Sequence, residues 1–156
     1  MPQVEFIEYI QAPPQAVWDF ISDIRRGPEW VTVMKEVLFV SDGPIKKGSV
    51  YRERSQVAGS TSETEWHITE FDPPRRQVHE TNEPMLQAVL TMEVTPDGDG
   101  ARLLHRTDFK MMPRFRPLGW LVEKLFGYRT MSKELRQTVD NAKRILEEEH
   151  GQAQVE

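Results

Sequence analysis

The residues best suited to chemistry in this chain are a glutamate, a histidine and a tyrosine in strand-like segments. Tyr51 and Glu53 lie two positions apart, and His79 lies in a later segment. A carboxylate near an imidazole can exchange protons when both groups are partly removed from water, because desolvation shifts both pKa values. We therefore take His79, Glu53 and Tyr51 as candidate catalytic groups. The alternative is that they are buried polar groups hydrogen-bonded to one another, to Thr81 or to water.

Other catalytic and metal chemistries have little support in the sequence. The chain has no cysteine, which excludes disulfides, thiolate nucleophiles, iron–sulfur clusters and sulfur-ligated zinc. A metal triad of His67, His79 and His105 requires three converging side chains, but the strand register below places His67 on the outer face. Ser55 and Ser132 lack the G-x-S-x-G context of a serine nucleophile. We predict neither a metal nor a cofactor.

The overall composition excludes several classes of partner. The chain has 156 residues and a formal charge of −5, without a block of basic residues, so nucleic acid is not an expected partner. With 38% hydrophobic and 29% charged residues and no long apolar run, it is predicted to be neither disordered nor membrane-spanning. The first ten residues lack the basic start of a secretory signal. We expect one cytoplasmic domain over residues 1–149 and a frayed tail over 150–156.

The N-terminal part of the chain predicts one strand and two short helices. Residues 3–11 are rich in β-branched and aromatic types, which favours a strand. Apolar residues at three-to-four spacing then predict an amphipathic helix over 14–24. A short second helical turn carries Trp30, and a further strand is predicted over 34–40.

The middle of the chain predicts an antiparallel meander, and the end predicts a helix. Turn signals divide residues 48–112 into five segments of about ten residues each. From 117 to 149 the apolar period becomes helical, with a break expected near Gly127 and the main helix over 128–149. The predicted buried stripe of this helix consists of Leu118, Leu121, Val122, Leu125, Phe126, Ser132, Leu135, Val139, Ala142 and Leu146.

Hairpin turns fix which residues face each other across the meander, and so they predict its inner face. A turn at Gly59 places Glu53 opposite Trp66. A turn after Asn82 places His79 opposite Ala88. The charged residues then collect on the outer face, as expected for a sheet with one side in water. The inner face nevertheless includes polar residues that need partners or water: Tyr51, Glu53, Ser55, Thr64, Glu70, Gln77, His79, Thr81, His105 and Thr107.

An aromatic and methionine cluster lies where the last strand passes into the helix. Such side chains adapt to varied apolar shapes, which suits the mouth of a cavity, although they suit a sealed core equally well. Arg114 and Arg116 flank Phe115, which is typical of contact with anionic lipid, whereas the net acidity argues against stable membrane attachment. The cluster consists of Met111, Met112, Phe115, Trp120, Phe126 and Tyr128.

Four short motifs link the chain to a known family. They are I-x-A-P-P-x-x-V-W at 10–18, S-D at 22–23, E-W at 29–30 and E-F-D-P-P-R-R at 70–76. With the predicted order of elements, the sequence over residues 3 to about 149 resembles the polyketide cyclase/dehydrase and lipid transport family of the START-like (SRPBCC) superfamily. The resemblance implies an α+β helix-grip fold, in which a curved seven-stranded antiparallel sheet surrounds a long C-terminal helix and two short helices follow the first strand.

The expected function is binding or carrying a small hydrophobic molecule, such as a lipid, polyketide or aromatic metabolite, between the sheet and the helix. The resemblance also allows a polyketide aromatase/cyclase or dehydratase that uses His79 with Glu53 or Tyr51, and a third interpretation is a protein-binding module. The choice between enzyme and binder, the ligand and the oligomeric state stay open at this point. The expected ligand-binding residues are Tyr51, Glu53, Trp66, Ile68, His79, Thr81, Leu90, His105, Thr107 and Phe109.

Overall fold

The computed structural model describes residues 1–57, 59–112 and 114–155, except for the side chains of 126 and 152–155. Within these residues, seven antiparallel strands form one sheet in the order β1-β7-β6-β5-β4-β3-β2. This arrangement, with a long C-terminal helix, confirms the predicted α+β helix-grip fold. The strands are β1 (Gln3–Ile10), β2 (Met34–Val40), β3 (Val50–Val57), β4 (Ser60–Asp72), β5 (Arg76–Asn82), β6 (Leu86–Asp97) and β7 (Gly100–Met111).

The helices lie in two groups, one after the first strand and one after the last. The C-terminal group begins with α3, which is followed directly by a π-helical segment and then by α4. This π segment lies at the break that the sequence predicts near Gly127. The helices are α1 (Pro14–Ser22), a 3₁₀ turn (Ile24–Arg26), α2 (Gly27–Trp30), α3 (Arg116–Val122), the π segment (Glu123–Gly127) and α4 (Tyr128–Val155).

The strand pairing of the last hairpin is as predicted, whereas two others differ by two residues. Leu90 faces Thr107 across β6 and β7, as expected. Glu53 faces Thr64 rather than Trp66, and His79 faces Leu90 rather than Ala88. The turns that close these two hairpins therefore differ from those assumed. Because side chains alternate with a period of two, a shift of two residues leaves the predicted faces intact.

A β-bulge on β4 overturns one predicted inner position. The pairing with β5 shifts between Ile68 and Glu70, which inserts one extra residue and reverses the alternation beyond it. Glu70 therefore points outward, where it accepts a hydrogen bond from Arg76 at 3.0 Å. Phe71 turns inward instead, and its ring lies 5.4 Å from that of Trp18. The bulge thus exchanges a predicted inner carboxylate for an aromatic side chain.

The long helix α4 buries only the second half of the stripe that the sequence predicts. Leu135, Val139, Ala142 and Leu146 are all buried. Most of the predicted members on α3 and the π segment are exposed, and Val122 is half-buried, because this segment turns its other side inward, where Gly119, Glu123 and Gly127 are buried. The exposed members are Leu118, Leu121 and Leu125. The side chain of Phe126, another predicted member, lies outside the described residues.

The C-terminal end of α4 continues to Val155 in the structure. Fraying of residues 150–156 therefore stays a prediction about solution behaviour, as does the single domain over 1–149. Among the described residues, no helix combines the length and the apolar character needed to cross a bilayer.

The close packing of α3 on β7 predicts that Gly119→Ala destabilises the protein. A Cβ atom at this position meets the carbonyl oxygen of Met111 at 2.3 Å, so α3 has to move. Such overpacking typically lowers the free energy of unfolding by about 1–3 kcal/mol. Urea denaturation measures it, and hydrogen exchange over 116–127 reports detachment of α3. Gly151→Ala on α4 is the control, since no atom lies within 4 Å of its Cβ position. Equal stability of the two variants contradicts the tight contact.

Candidate functional site

A cavity of about 120 Å³ lies between the inner face of the sheet, the α2 region and α4. It is lined by seven of the ten residues expected to bind a ligand, namely Tyr51, Glu53, Trp66, His79, Leu90, His105 and Thr107. The other three, Ile68, Thr81 and Phe109, are buried but lie outside the lining. The structure therefore brings most of these residues together, and ligand binding by them stays a prediction.

The opposite wall of the cavity comes from residues that the sequence analysis did not select. Trp30 and Val31 approach from the end of α2, and Met131, Glu134 and Thr138 approach from α4. The helical period correctly places α4 against the sheet, but it does not show which turn of α4 faces the histidines. The signal available was the polar Thr138 beside Leu135 and Val139 in the buried part of α4.

A chain of hydrogen bonds organises the polar groups on the sheet side. The hydroxyl of Tyr51 lies 2.8 Å from Nδ1 of His79, and Nε2 of His79 lies 2.9 Å from Oε1 of Gln77. Nε2 of Gln77 donates to Oγ of Ser22 at 2.9 Å. Since the Gln77 oxygen can only accept a hydrogen bond, His79 carries its proton on Nε2. Its Nδ1 atom therefore accepts a hydrogen bond from the Tyr51 hydroxyl. The Tyr51 oxygen keeps its lone pairs for another partner.

Both buried histidines are neutral near pH 7. Burial, together with the nearby His105, lowers the pKa of His79 to about 3. Burial alone lowers the pKa of His105 to about 4. Neither imidazole therefore forms an ion pair with Glu53, and His79 acts as a fixed hydrogen-bond partner of Tyr51. Burial and the charge of Glu53 raise the pKa of Tyr51 above its ordinary value, so its phenol keeps its proton.

Glu53 is the group at this site whose charge changes near neutral pH. Its side chain is only 4% exposed, and Oε1 accepts one hydrogen bond, from Nε1 of Trp66 at 3.2 Å. Burial raises the pKa of Glu53 to about 7, although the bond from Trp66 acts in the opposite direction. The carboxyl is therefore present in both its acidic and basic forms under physiological conditions. This property suits a group that donates and accepts protons.

Two contacts connect the α2 region to α4 across the cavity. The hydroxyl of Thr32 donates to Glu134, and the backbone N–H of Thr32 donates to Oγ1 of Thr138 at 3.1 Å. Nearby, the ring of Trp30 meets the ring of His105 edge-on at 5.9 Å. Nε1 of Trp30 and Nδ1 of His105 are buried without a hydrogen-bond partner among the described residues. This wall therefore retains unused polar groups beside an otherwise apolar space.

The third histidine of the triad considered above does not reach the cavity. His67 is exposed on the outer face of β4, where Nε2 lies 3.0 Å from Oε1 of Glu65. Within the described part of the chain, no three histidine, aspartate or glutamate side chains converge as a metal site. The predicted mouth cluster also lies apart from the cavity lining, as far as its side chains are described.

Comparison with protein families gives one match over almost the whole chain. Residues 1–147 match the model described as polyketide cyclase/dehydrase and lipid transport. Among curated proteins, the toxins Rv0910 and MT0934 of two Mycobacterium tuberculosis strains are 29% identical over 65 residues. That match covers 42% of this chain and 45% of each toxin, so it spans less than half of these relatives.

Several solved structures share the fold at low sequence identity. TTHA0849 from Thermus thermophilus is 19% identical, with a TM-score of 0.72 and coverage of 92% of this chain and 95% of that one. The di-domain ARO/CYC StfQ from the steffimycin biosynthetic pathway is 14% identical, with a TM-score of 0.76, over 96% of this chain and 51% of that one. The Zhui aromatase/cyclase from a Streptomyces species is 17% identical, with a TM-score of 0.66, over 92% of this chain and 95% of that one.

The raised pKa of Glu53 predicts a pH-dependent stability difference between the protein and Glu53→Gln. The pKa is about 7 in the folded state and near 4.5 when unfolded, so the folded state holds more protons between these values. The free energy of unfolding therefore falls as pH rises from 4.5 to 7, by on the order of 3 kcal/mol, and this contribution is then constant. Glu53→Gln lacks this contribution. The contributions of His79 and His105 are the same in both proteins and therefore cancel in the difference between their free energies of unfolding.

Denaturation of both proteins at several pH values measures this difference. We expect the stability of Glu53→Gln relative to the unsubstituted protein to increase from pH 4.5 to 7. Glu63→Gln, an exposed glutamate on the next strand, is the control and should show no such trend. A difference that stays constant across this pH range contradicts the assigned role of burial.

Proposed function

Because the chain belongs to the polyketide cyclase/dehydrase and lipid transport family, we propose that it binds a small hydrophobic molecule in the cavity between the sheet and α4. The observation that carries this proposal is the lining itself. Most of the wall is apolar, while a few polar groups converge on it from β3, β5 and β7. This is the usual composition of small-molecule sites. A protein-binding module has no need of such an internal space.

The size of the cavity supports a compact ligand. Its volume of about 120 Å³ is similar to that of an apolar cavity of about 150 Å³ that binds benzene. The space therefore fits one ring with a small substituent. A polyketide chain long enough to fold on itself requires the α2 region and α4 to move apart. Binding of a ring compound is for this reason the first candidate function.

The polar groups indicate which substituents such a ligand carries. The Tyr51 hydroxyl is used as a donor to His79, so its oxygen offers a hydrogen-bond acceptor to the ligand. Glu53 donates in its protonated form and accepts as a carboxylate. A ligand hydroxyl can use both residues, since it donates to one and accepts from the other. A phenol or a similar hydroxylated ring is therefore the ligand class that fits best.

The second candidate function is proton transfer to a bound β-keto compound. The observation in its favour is a buried carboxyl in an apolar wall, since Glu53 lines the cavity and its burial raises its pKa to about 7. As a carboxylate, Glu53 can remove a proton from a CH₂ group flanked by two carbonyls, leaving an enolate. The enolate carbon can then add to a further keto group of the same substrate, whose oxygen takes up the proton from Glu53 and becomes a hydroxyl. A second removal and return of a proton by Glu53 expels this hydroxyl as water and leaves a carbon–carbon double bond. Tyr51, whose proton is directed to His79, can accept a hydrogen bond from the substrate hydroxyl in this scheme.

Binding can be tested with the natural ligand and with a simple probe. Native mass spectrometry of the protein purified from its own host shows whether a small molecule is retained. Phenol then serves as the probe, and its binding is followed by NMR of the indole N–H signals of Trp30 and Trp66. We expect phenol to shift both signals in a saturable manner. Absence of any retained molecule and of any probe-dependent shift contradicts the binding proposal.

Filling the cavity predicts a loss of affinity without a loss of fold. Leu90→Phe adds a ring to the lining and should weaken phenol binding at least about tenfold, since the space holds little more than one ring. Leu104→Phe is the control, because Leu104 lies on the same sheet outside the lining and is partly exposed. Equal affinity of both variants places the ligand elsewhere.

The two candidate functions differ in their response to conservative changes at the polar wall. If the protein is a cyclase or dehydratase, Glu53→Gln should lower turnover by about a hundredfold or more while substrate binding is retained. If it is a binder, Glu53→Gln and Tyr51→Phe should only reduce affinity. The assay is incubation with a poly-β-keto thioester, whose further keto group allows ring closure, followed by mass spectrometry for loss of water. Turnover by the unsubstituted protein that survives Glu53→Gln contradicts the catalytic role.

A further inference from the structure

The segment from Phe115 to Tyr128 packs on the sheet with its small and charged side and turns its apolar side to solvent. Gly119 and Glu123 both face inward, and the Glu123 carboxylate accepts the backbone N–H of Met111 at 2.7 Å. The outward residues, which we call the apolar patch, are Phe115, Leu118, Trp120, Leu121, Leu125 and Tyr128. Each of these six side chains is between 44% and 60% exposed.

The inward contacts hold this orientation in place. A Cβ atom on Gly119 meets backbone oxygen, so a larger residue is excluded from the inner side. Burial alone raises the pKa of Glu123, but the hydrogen bonds from Arg116 and from the backbone of Met111, with the charges of Arg116 and Lys110, lower it overall. Glu123 is thus a charged inner anchor. The contacts of Gly119 and Glu123 with the sheet therefore fix the outward orientation of Leu118, Leu121 and Leu125.

Six neighbouring exposed apolar side chains are unusual on a protein surface. Single exposed leucines need no explanation, but helices of globular proteins turn their apolar stripe toward the core. A contiguous exposed patch generally marks an interaction site. The apolar patch is therefore a candidate interaction surface.

The charges around the apolar patch identify what covers it. Residues 109–133 contain six basic side chains and one acidic one, in a chain whose net charge is −5. The acidic residue, Glu123, is already paired with Arg116 at 3.1 Å. Among the described residues, Arg114, Arg129 and Lys133 have no ion-pair partner, and Lys124 lies 4.8 Å from the ring of Trp120. The patch thus combines apolar side chains with uncompensated positive charge.

We propose that the apolar patch docks reversibly on the surface of a membrane that contains anionic lipid. Leucine and phenylalanine side chains enter the acyl boundary, tryptophan and tyrosine prefer the headgroup level, and basic side chains attract anionic headgroups. A symmetric contact with a second copy is disfavoured, because it brings Lys124 and Arg129 of both copies together without a free carboxylate in the segment. The acidic remainder of the chain is repelled by the same membrane, which keeps the docking reversible.

Vesicle binding followed by tryptophan fluorescence tests this proposal directly. Trp120 is 54% exposed, whereas Trp18, Trp30 and Trp66 are at most 9% exposed, so a spectral change reports mainly on the patch. The probes are vesicles of phosphatidylcholine alone and of phosphatidylcholine with about one third phosphatidylglycerol. We expect a blue shift of Trp120 only with the anionic vesicles, and a weaker response when salt is raised, because salt screens the charges.

Matched variants separate the patch from general surface properties. Leu125→Glu should weaken vesicle binding at least about tenfold, as expected when one leucine no longer enters the lipid. Ile7→Glu is its control, since Ile7 is 54% and Leu125 is 55% exposed. Arg129→Glu should weaken binding about fivefold or more. Lys47→Glu, an exposed lysine elsewhere, makes the same change in net charge and should have little effect.

The proposal does not depend on whether the cavity binds a ligand. Circular dichroism confirms that each variant is folded, and Leu118→Glu replaces Leu125→Glu if the latter is not. The proposal is overturned if anionic vesicles do not bind or if Ile7→Glu and Leu125→Glu bind equally. It is also overturned if sedimentation shows a dimer without lipid that Leu125→Glu dissociates, or if the patch binds an acidic protein while vesicles have no effect.

Discussion

The hydrogen-bond chain from Ser22 through Gln77 and His79 to Tyr51 allows a polar wall to exist inside an apolar interior. Tyr51 donates to His79, His79 donates to Gln77 and Gln77 donates to Ser22, so both ring nitrogens of His79 have partners without a ligand. Burial keeps His79 neutral. Because Gln77 fixes the tautomer of His79, the Tyr51 hydroxyl has a single orientation. Glu53 lies beside this chain with one hydrogen bond from Trp66. The site therefore combines a rigid, neutral row with one titratable group, and its reactivity is concentrated in that carboxyl.

Much of the sheet could be predicted because the period of alternation survives small errors in the turns. The wrong turns in two hairpins left Glu53 and His79 on the predicted face. The bulge on β4 was different, since it inserts a single residue and so moves Glu70 outward. No turn residue marks that position in the sequence. Its cause is the fit of the strand to its neighbours, which only the folded sheet defines.

The site and the α3 segment were less predictable, because both depend on how separate elements pack. Strand alternation identifies the sheet wall of the cavity, but Trp30 and Thr138 join it only through the docking of α2 and α4 on each other. Apolar residues at helical spacing likewise show that a helix has one apolar side. They do not show whether that side faces the sheet or solvent. On α3 and the π segment, Gly119, Gly127 and Glu123 determine the orientation because only small or specifically paired groups fit against the end of β7.

The order of strands has a consequence for how the chain acquires its structure. Strands β2 to β7 follow one another as neighbours, so each can pair with the one before it as the polypeptide grows. The N-terminal strand β1 instead pairs with β7, with Gln3 beside Asp108. During synthesis on the ribosome, β1 emerges before the other six strands of the sheet yet waits for almost the whole meander before its partner β7 exists. Such long-range closure is slow relative to hairpin formation, so β1 is the strand of this sheet that stays unpaired and exposed to chaperones and proteases for longest.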